Sequence, residues 1–108
     1  MTAFDPHAAL EQLFDEYSRR LGAIRRDLSQ QRNADFAEQA VERQNDEVLQ
    51  ALLAEAETEL RQVERARLRL AEGRYGQCVS CGEKIAPARL QALPAAESCV
   101  TCAARAEA

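Results

Sequence analysis

Residues 75–102 read YGQCVSCGEKIAPARLQALPAAESCVTC, and the two Cys-x-x-Cys pairs of this stretch decide how it folds. The first pair is Cys78 and Cys81, the second is Cys99 and Cys102, and seventeen residues separate them. A Cys-x-x-Cys turn brings two thiolates onto one tetrahedral ion at about 2.3 Å, and a second turn completes the four ligands. The spacing therefore predicts one structural Zn2+ per chain, with no coordination position left open for a substrate.

Other uses of four cysteines fit the sequence less well. Two disulfides require an oxidising compartment, and residues 1–10 carry neither the basic flank nor the apolar run of an export signal. A thioredoxin-like pair requires a βαβ context, which the pattern lacks, while an iron–sulfur centre remains open. Because few apolar side chains lie in this stretch, we expect its fold to depend on the metal.

Upstream of the cysteines, apolar residues recur at helical spacing in two long segments. The first segment opens at Asp5-Pro6, where Asp favours the N-cap and Pro the first helical position. The second runs from after Asp35 to about Ala71, and Gly73 then suits a C-cap. The two apolar stripes consist of Leu10, Leu13, Phe14, Tyr17, Leu21, Ile24 and Leu28, and of Val41, Val48/Leu49, Leu52/Leu53, Ala56, Leu60, Val63 and Leu70.

A short polar connection between two long amphipathic helices predicts that they pack as an antiparallel hairpin. We therefore expect an all-α fold, with a long antiparallel helical (coiled-coil) hairpin over residues 1–72 and a small C-terminal C4 zinc-finger unit over residues 73–108. Inside that unit Pro87 and Pro94 bracket a helix of one to two turns, and the residues after Cys102 favour a short terminal helix.

Composition and charge argue against several classes of function. The formal net charge is −4, and the chain has a single lysine and 5% aromatic residues. Such a chain has few cations to contact phosphates and few rings to stack on bases, so we expect no sequence-specific DNA binding. The chain has neither a Ser/His/Asp set nor a Gly-rich phosphate loop, so we expect no enzymatic activity. No apolar run approaches the ~20 residues that span a bilayer, and we expect a cytoplasmic protein that does not bind membranes.

The negative charge concentrates at the turn of the predicted hairpin, near residues 33–47. Five acidic residues and one arginine lie between positions 35 and 47, and their net charge of −4 equals that of the whole chain. The acidic residues are Asp35, Glu38, Glu42, Asp46 and Glu47. Asp35 and Glu38 resemble a capping box, which explains both without a function but leaves the other three unexplained.

Together these features resemble the DksA/TraR family of C4-type zinc-finger transcription regulators. The residues that carry the resemblance are Tyr75-Gly-Gln-Cys78-Val-Ser-Cys81-Gly, Ile85, Arg89-Leu90-Gln-Ala-Leu-Pro94 and Cys99-Val-Thr-Cys102. The resemblance implies a regulator that binds bacterial RNA polymerase directly and inserts its hairpin tip into the secondary channel, close to the catalytic centre. The family's tip motif, Asp-x-x-Asp-x-Ala, corresponds to Asp35, Glu38 and Ala40, with Glu in place of the second Asp.

Full-length members of the family also bind ppGpp together with the polymerase, through basic side chains on the second helix and beside the zinc knuckle. The matching positions here are Gln62, Leu93 and Ala103, none of which is basic. Because a guanosine tetraphosphate needs several cations, we expect no ppGpp binding. We also expect the protein to be a monomer. The alternative is a zinc-stabilised helical adaptor that binds another protein or oligomerises through the hairpin.

Overall fold

The computed structural model describes residues 3–32 and 39–107, and the side chains of residues 3–30 and 45–106. The helices are α1 (Pro6–Arg32), α2 (Gln39–Ala71), α3 (Pro87–Ala92) and α4 (Val100–Glu107). The described residues form no strand, and their one isolated bridge joins Gln77 to Lys84. The all-α class is therefore confirmed. None of the described helices combines the length and the apolar composition that crossing a bilayer requires.

The two long helices lie antiparallel, as two cross-helix ion pairs show. Near the end of α1, Arg25 Nη2 lies 3.6 Å from Glu57 Oε1 in the middle of α2. Near the start of α1, Glu11 Oε1 lies 2.9 Å from Arg67 Nε close to the end of α2. Exposed pairs of this kind contribute at most about 1 kcal/mol, so they mark the register more than they stabilise the hairpin.

Local chemistry ends α2 at Ala71, where the sequence predicts. Gly73 has a φ of 75°, which is in the left-handed region that favours glycine. The Gly73 N–H donates to Leu70 O and the Arg74 N–H donates to Arg69 O, at 3.2 and 2.8 Å. This is a Schellman motif, and it turns the chain out of the helix toward the first cysteine pair.

The apolar core of the hairpin divides into two clusters along its length. The tip-side cluster consists of buried Leu21, Ile24, Leu28 and Ala56, with Leu49, Leu53 and Leu60 packed against them. The base cluster consists of buried Leu10, Val63 and Ala66, with Leu13, Phe14, Tyr17, Leu70, Tyr75 and Ala95 packed against them. Tyr75 and Ala95 follow the hairpin in sequence, so the cysteine-bearing stretch packs directly on its base. The division into residues 1–72 and 73–108 stays a prediction.

Candidate metal centre and hairpin tip

The four cysteines converge on one point. Their Sγ atoms all lie within 4.8 Å of one another, and Cys81 Sγ is 3.9 Å from Cys99 Sγ. Four sulfurs bound to a tetrahedral zinc at about 2.3 Å would lie about 3.8 Å apart, so the cluster has the size that zinc requires. A disulfide needs about 2.05 Å between sulfurs, and all four thiols are free. The donor set therefore fits one shared ion and not two disulfides.

A tight turn positions the first cysteine pair. The Cys78 N–H donates to Glu83 O at 2.8 Å, and the Gly82 N–H donates back to Cys78 O at 2.9 Å. Gly82 has a φ of 77°, a conformation that strains residues carrying a Cβ. The turn then returns the chain so that Gln77 and Lys84 form their antiparallel bridge. The backbone thus holds both sulfurs of this pair on one side of the turn.

The second cysteine pair lies at the start of α4. The Cys102 N–H donates to Cys99 Sγ at 3.4 Å, and the Ala103 N–H donates to Cys99 O at 2.9 Å. The sulfur of Cys99 thus takes the place of an N-cap oxygen, and the helix dipole favours negative charge on it. The predicted short terminal helix is therefore confirmed over residues 103–107, and it begins one turn earlier than expected, at Val100.

The thiols differ in acidity because they hydrogen-bond unequally. Backbone hydrogen bonds from Cys99 and then Cys81 lower the pKa of Cys78 from 9.0 to about 6. Hydrogen bonding to the Cys99, Cys78 and Cys81 side chains raises the pKa of Cys102 to about 12. Hydrogen bonding thus favours the thiolate at Cys78 and the neutral thiol at Cys102, and a metal ion bound by these sulfurs would favour the thiolate form of both.

The side chains of Tyr75 and Arg89 hold residues 94–98, which lead into the second cysteine pair. The Tyr75 hydroxyl donates to Pro94 O at 2.8 Å, and Arg89 Nε of α3 donates to Ser98 O at 2.9 Å. Burial raises the pKa of Tyr75 against the opposing effect of Arg69, so the hydroxyl stays protonated and can donate. These contacts fix the path of the chain into Cys99.

Glu97 joins the hairpin to the zinc-binding stretch. Its carboxylate Oε1 accepts a hydrogen bond from Arg65 Nε and lies 3.7 Å from Arg69 Nη1, both on α2. Its carbonyl accepts a hydrogen bond from the Val79 N–H, between the first two cysteines, at 2.9 Å. Arg69 also donates to Ala96 O at 3.4 Å. Sequence reasoning missed Glu97, since no motif surrounds it and its partners lie about thirty residues earlier.

A cleft of about 430 Å³ lies between the base of the hairpin and the zinc-binding stretch. It brings together the three positions that the sequence comparison singles out, Gln62, Leu93 and Ala103. The charged side chains that line it are Glu59, Glu97 and Arg89. Arg89 is the one cationic side chain of the lining, and its Nε donates to Ser98 O.

The predicted tip falls on the connection between α1 and α2. Asp35 and Glu38 lie outside the described residues, and Ala40 lies in α2 where side chains are not described. Further along α2, Asp46 is half-buried and Glu47 is exposed. The tip assignment therefore stays a prediction.

Comparison with known proteins places these features in a family. Residues 7–70 match the model described as DnaK suppressor protein-like, N-terminal domain, and residues 73–108 match the prokaryotic dksA/traR C4-type zinc finger. The structure is similar to that of transcription factor DksA2 from Pseudomonas aeruginosa, with a TM-score of 0.85 and 27% identity over 94% of this chain and 80% of that chain. No protein of curated function matches the sequence. The zinc-finger match and the converging thiols together identify the cofactor as structural Zn2+.

Proposed function

Because the chain belongs to the DksA/TraR family of zinc-finger transcription regulators, we propose that it binds bacterial RNA polymerase directly and inserts the acidic hairpin tip into the secondary channel. The observation that supports this proposal is the shape of the hairpin. Its helices of 27 and 33 residues are about 40 and 50 Å long at about 1.5 Å per residue. The end of α1 and the start of α2, where Ala40 lies, form the end of this rod remote from the cysteines, and Asp35 and Glu38 fall between them in the sequence. Cys78, Cys81, Cys99 and Cys102 hold the zinc and support the base of the rod.

The charges at the base of the hairpin favour a protein partner over nucleic acid. Four arginines at or just beyond the end of α2 each contact a carboxylate. The pairs are Arg65–Glu97, Arg67–Glu11, Arg69–Glu97 and Arg74–Glu72. The paired carboxylates cancel much of the positive charge that these arginines would otherwise present to a phosphate backbone. Sequence-specific contact with DNA is therefore no part of the proposal.

The proposal is tested with purified bacterial RNA polymerase in the absence of DNA. We expect the zinc-loaded chain to co-elute with the polymerase and to change transcript yield when a promoter is added. Salt-dependent binding to DNA without polymerase would contradict this proposal. A hairpin dimer by native mass, with no polymerase binding, would instead favour the helical adaptor.

We also propose that ppGpp does not enhance this action. Gln62, Leu93 and Ala103 supply no cation to the cleft, whose lining holds a single arginine, Arg89, and Arg65 on α2 is paired with Glu97. Each charge-assisted hydrogen bond absent from the site forfeits about 1.5–3 kcal/mol. Three absent bonds weaken binding by several orders of magnitude, since about 1.4 kcal/mol corresponds to tenfold.

The test uses transcription reactions with a polymerase whose other ppGpp site has been removed. Adding increasing ppGpp to these reactions should leave the effect of this protein on transcription unchanged. A variant with lysine at positions 62, 93 and 103 serves as the matched control, because it restores three cations to the same cleft. That variant should gain a ppGpp response. A ppGpp-dependent shift that requires the unmodified protein would show the proposal to be wrong.

A further inference from the structure

We infer that Glu97 is a built-in counter-ion that keeps an anion site closed at the junction of the hairpin and the zinc-binding stretch. Removing its carboxylate frees Arg65 and Arg69 to bind a diphosphate group. The inference deepens the proposed insensitivity to ppGpp, on which it rests, by adding a second cause to the absence of cations at positions 62, 93 and 103. Glu97 is in this sense a specificity-determining residue.

The burial of Arg69 makes a counter-ion necessary. Its side chain is 11% exposed, and a guanidinium this far from water is costly unless an opposite charge lies beside it. Within the described part of the chain, Glu97 is the one carboxylate within 4.0 Å of Arg69. Arg69 also donates to Ala96 O, but a carbonyl carries no net charge. Arg69 without Glu97 would therefore attract an external anion.

The position of Glu97 makes the exchange with an anion sterically possible. Its side chain lines the 430 Å³ cleft, and its carboxylate Oε1 contacts both Arg65 and Arg69, which are not themselves among the lining residues. A planar guanidinium binds phosphate oxygens with the same parallel donors that it offers to a carboxylate. Glu59 also lines the cleft and repels anions, so the opened site should bind diphosphate modestly.

The main-chain contacts of residues 94–98 do not depend on the Glu97 carboxylate. The Glu97 carbonyl accepts from Val79, Pro94 O accepts from Tyr75, and Ser98 O accepts from Arg89. A substitution at Glu97 therefore removes the counter-ion and leaves the segment in place. The zinc content of the variant reports directly whether residues 94–98 have stayed in place.

The experiment measures binding of inorganic diphosphate to the zinc-loaded chain by isothermal titration calorimetry. Glu97→Ala should bind diphosphate at least about tenfold more tightly than the unmodified protein, because one negative charge is lost and two guanidinium groups are freed. The matched control is Glu57→Ala, which also removes a carboxylate paired with an arginine, Arg25, but outside the cleft. The control should bind as the unmodified protein does.

A double variant, Glu97→Ala with Arg65→Ala, should lose most of the gain, because Arg65 is half-exposed and one of the two freed cations. If Glu97→Ala loses zinc, Glu97→Gln preserves the side-chain shape and should show a smaller gain in the same direction. The inference is wrong if a zinc-loaded Glu97 variant binds diphosphate no more tightly than Glu57→Ala. No polymerase is present, so this failure is separate from failure of the proposed function.

Discussion

Replacing Cys99 with serine should release the zinc ion and unfold the residues after Gly73, while the tip-side half of the hairpin stays helical. Cys99 is proposed to be a ligand, and its sulfur also caps α4. Among the described residues after Gly73 only Cys78 and Ile85 are buried hydrophobics, so the metal supplies most of the stability there. A structural zinc contributes about 10–16 kcal/mol. Elemental analysis should find no stoichiometric zinc, and amide exchange should accelerate throughout α3 and α4.

The hairpin should respond unevenly to loss of the metal. The tip-side cluster contains residues of α1 and α2 alone, so its amide protons should keep their protection. The base cluster also includes Tyr75 and Ala95, and exchange around Leu10 and Val63 should therefore become faster. Uniform exchange along the hairpin would show that the two ends are more strongly coupled than these contacts imply.

Thr101→Ala is the matched control for Cys99→Ser. Thr101 lies between the cysteines of the second pair, and its side chain is exposed. This variant should retain one zinc per chain and unchanged exchange. A Cys99→Ser protein with full zinc content, or a chelator that leaves α3 and α4 protected, would contradict the metal-dependent fold.

Helix ends were predictable from sequence because local chemistry sets them. The Ala8 N–H donates to Asp5 Oδ1 at 3.3 Å, directly beside the predicted start at Pro6, and Gly73 ends α2 through its backbone conformation. Neither feature depends on distant residues. The end of α4 nearest the metal was misplaced because its cap is the sulfur of Cys99, which is not among the usual N-cap side chains.

The inward face of α2 was only partly predictable. Periodicity leaves Val48/Leu49 and Leu52/Leu53 unresolved, because adjacent residues lie about 100° apart and both flank the seam. Packing chooses Leu49 and Leu53, while Val48 is 59% and Leu52 44% exposed. Ala66, fully buried in the base cluster, was missed, since a small residue adds little to a hydrophobic pattern.

The cysteine cluster was the most predictable part of the candidate site, and the network around it the least. Metal coordination imposes a spacing on the sequence, so four ligands can be read from their separation. The pairing of Glu97 with Arg65 imposes no spacing on the sequence, because tertiary packing alone brings together two residues that lie 32 positions apart. The same applies to the cleft that gathers Gln62, Leu93 and Ala103, whose members come from three separate segments.

Replacing Asp35 with Asn and Glu38 with Gln should reduce the effect on transcription at least about tenfold, while binding to RNA polymerase persists. Both substitutions remove charge and keep a side-chain oxygen that can cap a helix, so stability should fall by only about 1 kcal/mol or less. Transcription and polymerase binding are measured side by side, with thermal unfolding as the check on stability.

Asp46→Asn with Glu47→Gln is the matched control for the tip, because it removes the same amount of charge from α2, further from the connection between α1 and α2. If placement of the acids at the tip matters, the control keeps most of its activity. If only the total charge matters, both double variants lose activity equally, and the assignment to Asp35 and Glu38 is wrong. Unfolding of the Asp35/Glu38 variant, or full activity in it, would favour the capping box, since a cap contributes to stability and not to an encounter with the polymerase.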